Sequence, residues 1–199
     1  MAAMNQTILL AVLLGYLLGS IPFGLLLTRL GGKGDIRDIG SGNIGATNVL
    51  RTGSKKLAAA TLLLDAVKGT AAVMLAHRFL PGGEIAAAGG AMIGHLYPVW
   101  LRFRGGKGVA TFLGVLVGLS PILAVVYAAV WIGLLLTLRI SSVAGMAAAA
   151  SAPIAAFVRG ERTLVPLLAG LAVLVIWKHG DNIRRLRRGE EPRVGRKSA

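Results

Sequence analysis

The chain has 199 residues, 55% of them hydrophobic and only 15% charged, with 22 Lys+Arg against 8 Asp+Glu and a formal net charge of +14. A soluble domain carries about 25% charged residues. Too few charges are present here to cover a globule in water, and a disordered chain is excluded by the same composition. The absence of cysteine removes thiol catalysis, thiolate metal sites and a disulfide scaffold.

On a soluble protein such a basic excess would suggest nucleic acid. Here aromatic residues are 6%, and long apolar runs dominate. The charge therefore reads as cytoplasmic loops and contacts with anionic lipid headgroups. Membrane lipids are expected partners and nucleic acid is not.

A transmembrane helix needs about 20 mostly apolar residues. In chain order the apolar segments are 6–27, 57–80, 84–101, a short piece 109–119, then 122–138, 143–158 and 163–177. The first has no basic residue before Arg29 and so lacks the positive start of a signal peptide. The runs do not alternate as barrel strands do. An all-α integral membrane protein of about seven transmembrane helices follows, since helices satisfy their own backbone in lipid. With the N-terminus outside and the C-terminus cytoplasmic, the basic stretches at 29–56, 102–107, Arg139 and 178–197 all fall inside, and only Arg78, Arg159 and Arg162 fall outside. Residues 1–188 form a single polytopic domain in this reading, and 189–199 a basic, disordered cytoplasmic tail.

Four polar clusters are assigned to the inner side. The first, at 40–48, carries Ser41, Asn43, Thr47 and Asn48 among glycines, with Arg51 close behind. Its small residues let backbone N–H groups approach an anion, and Arg51 can grip phosphate. A plain loop with Thr47 or Asn48 as helix cap is the competing reading. The second holds Gly105, Gly106, Lys107 and Gly108 and opens into an apolar helix bearing Thr111. That arrangement aims N–H groups and the helix dipole at an anion. It is not a Walker A loop, because Leu101 stands where glycine is needed.

The third cluster is Arg139 with Ser141 and Ser142, where two segments join. The fourth is His179 with Asn182, three residues apart and on one face if a helix continues through Gly180. A histidine can take a proton from a hydroxyl. Asp65 and Lys68 lie inside the second segment, either as a self-neutralising pair or as a functional one. Residues 19–24 and 94–98 read as kinks, with His95 bonding a backbone carbonyl. No His/Asp/Glu spacing suggests a metal site. An enzyme, an organic-anion transporter and a membrane adaptor are all compatible with these residues.

At these positions the chain resembles the acyl-phosphate:glycerol-3-phosphate acyltransferase family (PlsY) of bacterial membranes. The matching pieces are GSIPFG at 19–24, SGNIGATNVLR at 41–51, Asp65-x-x-Lys68-Gly69, GHLYPVWLRF at 94–103, GGKGVAT at 105–111, RISS at 139–142 and HGDNIRRL at 179–186. The resemblance implies an enzyme that moves a fatty acyl group from acyl phosphate to the 1-hydroxyl of sn-glycerol 3-phosphate. The products would be lysophosphatidic acid and inorganic phosphate, in the first acylation of phospholipid synthesis.

The resemblance further implies the bacterial inner membrane, a site facing the cytoplasm, no cofactor, a monomer, and the acyl-phosphate-forming enzyme as a partner. Acyl phosphate would be held by Gly105, Gly106, Lys107, Gly108 and Thr111. Glycerol 3-phosphate would be held by Ser41, Asn43, Thr47, Asn48, Arg51, Lys68, Arg139, Ser142 and Asn182. His179, Asn182, Ser41, Ser142 and Lys107 are the catalytic candidates. Ser142 or Asn182 is expected to donate to the developing oxyanion. The His-x4-Asp pair of many glycerolipid acyltransferases is absent, because Gly82, Trp100 and Arg184 occupy those spacings after His77, His95 and His179. An acyl phosphate is already activated, so positioning can outweigh a strong base.

Overall fold

A computed structural model describes residues 1–195. Positions 196–199 of the expected tail, with Arg196 and Lys197, lie outside the described residues. Those described are helical or irregular, with no strand. They form two compact units, Met1–Leu119 and Ser120 onward.

In the first unit, α1 (Ala2–Gly19) and α2 (Phe23–Leu30) replace the single helix expected at 6–27. Pro22 has no N–H and disfavours helical geometry at Ile21, so the chain breaks there. The break lies within the expected kink. A polar loop follows, with a 3-10 turn at Ile36–Asp38 and the short α3 (Ala46–Val49). Gly45 caps α3, so neither Thr47 nor Asn48 does.

Helix α4 (Lys55–Phe79) starts at Ser54, whose side chain accepts from the Leu57 N–H at 3.2 Å. Helix α5 (Glu84–Leu96) stops short of the expected 101. Pro98 follows, and Val99–Leu101 turns as a 3-10 helix. Helix α6 (Val109–Leu119) has the bounds read from sequence.

Glycine and alanine set how these helices pack. A Cβ on Gly15, Gly19, Gly90 or Gly94 would strike backbone across the α1–α5 contact, at Ala87, Ala91, Val12 and Tyr16 respectively. Gly114 abuts the Ala66 carbonyl across α4–α6, and Thr70 Oγ1 donates to the Gly114 carbonyl at 2.9 Å. Small residues permit such close approach where lipid supplies no hydrophobic drive.

The second unit holds α7 (Pro121–Leu138), α8 (Ser141–Val158), α9 (Val165–Lys178) and α10 (Gly180–Arg187). Buried Ala144, Ala148, Ala152 and Ala156 line one stripe of α8. Large apolar side chains such as Leu136, Val158 and Trp177 stand more than 70% exposed, as a lipid-facing surface requires. Among the described residues four helical segments are long and apolar enough to cross a membrane: Ala2–Leu30, Lys55–Phe79, Pro121–Leu138 and Ser141–Val158. Val109–Leu119 and Val165–Lys178 are apolar but shorter.

Candidate active site

In the first unit the loop before α4 is organised around Asn48. Its Oδ1 accepts the Ser41 N–H at 3.1 Å, and its Nδ2 donates to the carbonyls of Ile36, Ile39 and Asn43 at 2.8–3.0 Å. Asn43 Oδ1 accepts the Gly45 N–H at 2.9 Å. Both asparagines, expected to bind substrate, also knit the loop: Asn48 through both its polar atoms and Asn43 through its Oδ1. Gly40 sits at φ +57°, and a Cβ there would strike the Arg51 side chain and Asn48 Oδ1. Arg51 therefore lies against the Gly40–Ser41 turn. Ser41, Thr47 and Arg51 are exposed, and Arg51 has no ion-pair partner among the described residues.

Asp35 braces the start of this loop. It accepts from the Arg37 backbone N–H at 3.0 Å, from Arg37 Nε and Nη2 at 2.9 and 2.6 Å, and from Arg29 Nη2 at 2.7 Å. The Arg37 side-chain bonds, outweighing slight burial and aided by Arg29, hold its carboxyl well below the usual range.

Asp65 and Lys68 form a buried ion pair at 2.7 Å, with side chains 4% and 2% exposed. Lys68 Nζ also donates to the Ile21 carbonyl at 2.8 Å and sits 5.8 Å from the Phe23 ring centroid. Lys68 thus satisfies an acceptor freed by the α1–α2 break. Lys68, expected to bind glycerol 3-phosphate, is enclosed with two oxygen partners of the protein itself. Trp100 Nε1 donates to the neighbouring Ser20 carbonyl at 2.7 Å. His95 Nδ1 lies 3.8 Å from Asp65 Oδ1, a contact that the sequence reading missed because 30 residues separate the two.

The glycine-rich turn folds back on His95. The Gly105 N–H donates to the Leu96 carbonyl at 3.2 Å and the Gly106 N–H to the His95 carbonyl at 3.0 Å. A Cβ on Gly106 would strike the His95 ring. These two amides, expected to face a phosphate, donate to backbone carbonyls and so lock the turn. Beyond them lie the helix start at Gly108 (φ +87°), half-buried Lys107 and buried Thr111. Thr111 Oγ1 has no hydrogen-bond partner among the described residues.

In the second unit, His179 joins α9 to α10 and is buried. Its Nδ1 lies 2.7 Å from the Val175 carbonyl. A carbonyl only accepts, so Nδ1 carries the proton, and whenever the ring is neutral its lone pair is on Nε2. The Ile183 N–H donates to the His179 carbonyl at 2.9 Å, so helical geometry runs on to Asn182 despite Gly180.

Ser142 Oγ and Asn182 Nδ2 both donate to Glu191 Oε1, at 2.6 and 2.5 Å, and Arg185 Nε donates to Glu191 Oε2 at 2.8 Å. Burial raises the Glu191 carboxyl pKa, but these three bonds outweigh it and leave the group below the usual glutamate range. Arg139 adopts φ +60°, and its carbonyl accepts the Val194 N–H at 2.7 Å. Glu191 and Val194 of the segment read as a tail make these contacts. Glu191 was missed because it and Glu190 fall in a basic stretch taken as a tail.

The units hold Gly-rich, cationic and His/Asn clusters on apolar helices. The family model described as glycerol-3-phosphate acyltransferase matches residues 9–189. A glycerol-3-phosphate acyltransferase of Brucella canis is 58% identical over 193 residues, covering 97% of this chain and 96% of the relative. One from Brucella anthropi is 57% identical over 194 residues, covering 98% and 96%. The crystal structure of PlsY (YgiH), an integral membrane glycerol 3-phosphate acyltransferase, in its glycerol 3-phosphate form superposes with a TM-score of 0.89 at 38% identity. It covers 94% of this chain and 96% of that one. The lysophosphatidic acid form gives 0.86 with 94% and 95% covered. The chain belongs to the glycerol-3-phosphate acyltransferase family, and it is a multi-pass membrane protein.

Proposed function

We propose that the chain transfers a fatty acyl group from acyl phosphate to the 1-hydroxyl of sn-glycerol 3-phosphate, yielding lysophosphatidic acid and inorganic phosphate. The observation that carries this reading is the near-full-length match to a relative solved in its glycerol 3-phosphate and lysophosphatidic acid forms. The chain crosses the bacterial inner membrane seven times in this proposal. The N-terminus is outside, and the C-terminus and the site are cytoplasmic. The enzyme works as a monomer without a cofactor, supplied by the enzyme that makes acyl phosphate.

The hydroxyl oxygen attacks the acyl carbonyl carbon, the bond from that carbon to the phosphate oxygen breaks, and phosphate leaves. Lys107, Thr111 and the α6 N-terminus hold the donor phosphate and stabilise it as it departs. Arg51 and Ser41 bind the phosphate of glycerol 3-phosphate, and Arg139 adds charge. The exposed, unpaired Arg51 supports this. Gly105 and Gly106 serve by fixing the turn, and Asn43 and Asn48 by fixing the loop. The hydroxyl proton passes to His179 Nε2 or to a phosphate oxygen of the substrate.

The test supplies purified protein with palmitoyl phosphate and glycerol 3-phosphate, with palmitoyl-CoA as a parallel donor. Phosphate release and the lipid mass are followed. Lysophosphatidic acid from palmitoyl phosphate alone is expected. A folded sample that forms no product refutes the reading, and product from palmitoyl-CoA refutes the donor.

A further inference from the structure

Helix α5 ends at Leu96, and the last carbonyls of a helix have no partner within it. The glycine-rich turn supplies two, through the Gly106 N–H on the His95 carbonyl and the Gly105 N–H on the Leu96 carbonyl. The two glycines are hemmed in by different atoms. A Cβ on Gly105 would strike the His95 and Leu96 carbonyls, which are backbone, and Pro98 Cδ. A Cβ on Gly106 would strike Nε2, Cε1 and Cδ2 of the His95 ring, which are all side chain. The other edge of that ring looks toward α4, with Nδ1 3.8 Å from Asp65 Oδ1, the oxygen that Lys68 Nζ meets at 2.7 Å. His95 is 4% exposed. Its ring therefore lies between an ion pair of α4 and the main chain of the turn.

Lys107 follows Gly106 directly in the chain. The depth at which Gly106 settles on the ring thus sets where Lys107 and the start of α6 stand. We propose that His95 is a positioning residue: its ring is the stop against which the glycine-rich turn seats, and it fixes Lys107 for a substrate phosphate through that turn. His95 itself does not touch substrate. The inference rests on the acyltransferase reading above and gives that reaction a residue whose part is played from beneath the site.

The test compares wild type with His95→Ala, Gly106→Ala and Gly105→Ala, and with each glycine variant combined with His95→Ala. Turnover and the KM for palmitoyl phosphate and for glycerol 3-phosphate are measured, and thermal stability is followed in the same detergent. His95→Ala takes away the stop, so the KM for palmitoyl phosphate should rise about tenfold or more while that for glycerol 3-phosphate stays put. Gly106→Ala alone should be inactive. His95→Ala removes the ring atoms that its Cβ strikes, so the pair should regain turnover, a strong departure from additivity. Gly105→Ala meets backbone that His95→Ala leaves in place, and it should stay inactive in the pair.

A purely structural His95 would lower stability and the active fraction while leaving both KM values in place, which overturns the proposal. Additive losses in the Gly106 pair, or equal rescue of the Gly105 pair, also overturn it. A rise confined to glycerol 3-phosphate keeps the positioning role and moves the turn to that substrate's phosphate. Should His95→Ala not fold, His95→Asn removes Nε2 and Cε1, keeps a polar group toward Asp65, and is read by the same KM split and rescue. A folded His95→Asn with wild-type KM values and no rescue refutes the role. A wild-type chain that forms no product removes the acyltransferase reading and this inference together. An active wild type whose variants show neither KM split nor rescue removes this inference alone.

Discussion

His179 illustrates how a backbone contact prepares a side chain. With Nδ1 against the Val175 carbonyl, proton acceptance falls to Nε2. If that nitrogen is the base, His179→Ala should lower kcat by about 10²–10⁴-fold. A change confined to KM would leave the substrate phosphate as base. Lys68 makes the opposite case. Its position within an apolar run marked it as functional, yet its partners are Asp65 and the Ile21 carbonyl. Lys68→Ala leaves Asp65 buried and uncompensated, which should cost about 3–5 kcal/mol of stability. Removing Asp65 as well should recover part of that loss in a thermal melt, an outcome that a substrate-binding lysine would not give. Gly106→Ala should inactivate by pushing the turn off the His95 ring. Residue types and spacings exposed the candidates. They did not show which atoms were already spent, because the partners of Asn48, Lys68 and Gly106 lie up to 47 residues away.

At the scale of elements, the polar loop before α4 depends on Asp35. Its carboxyl is held below the usual range by Arg37 and Arg29, so ionised Asp35 favours the folded loop. That contribution is present above the unfolded carboxylate pKa of about 3.9. It fades as pH falls toward the depressed folded value. Asp35→Asn should therefore speed proteolysis of the loop at neutral pH, and the gap to wild type should narrow in strong acid. Equal cleavage at neutral pH would deny Asp35 this role. The apolar segments were legible because hydropathy reports burial in lipid directly. Their ends were less so: Pro22 divides the first helix and Pro98, inside the third segment, follows the end of α5, and a hydropathy run does not register either stop. The 30-residue reach from Asp65 to His95, and that from Ser142 to Glu191 across 49 positions, are tertiary facts without a local trace.

Across the whole chain, glycine is the residue that sets the α1–α5 and α4–α6 distances. Gly90→Val should separate α1 from α5 and abolish folding into the membrane. A wild-type melt in that variant would refute the seam. Helix α6 has a further consequence. Its 11 residues span about 16 Å at the usual rise, against about 30 Å of hydrocarbon. If α6 is one of the seven proposed crossings, either polar chain at one of its ends sits below the headgroups, or the bilayer pinches to meet it. Both arrangements couple the glycine-rich turn to lipid thickness. Placed in bilayers of progressively longer acyl chains, the protein becomes a thickness gauge, with the turn feeling hydrophobic mismatch before the long helices do.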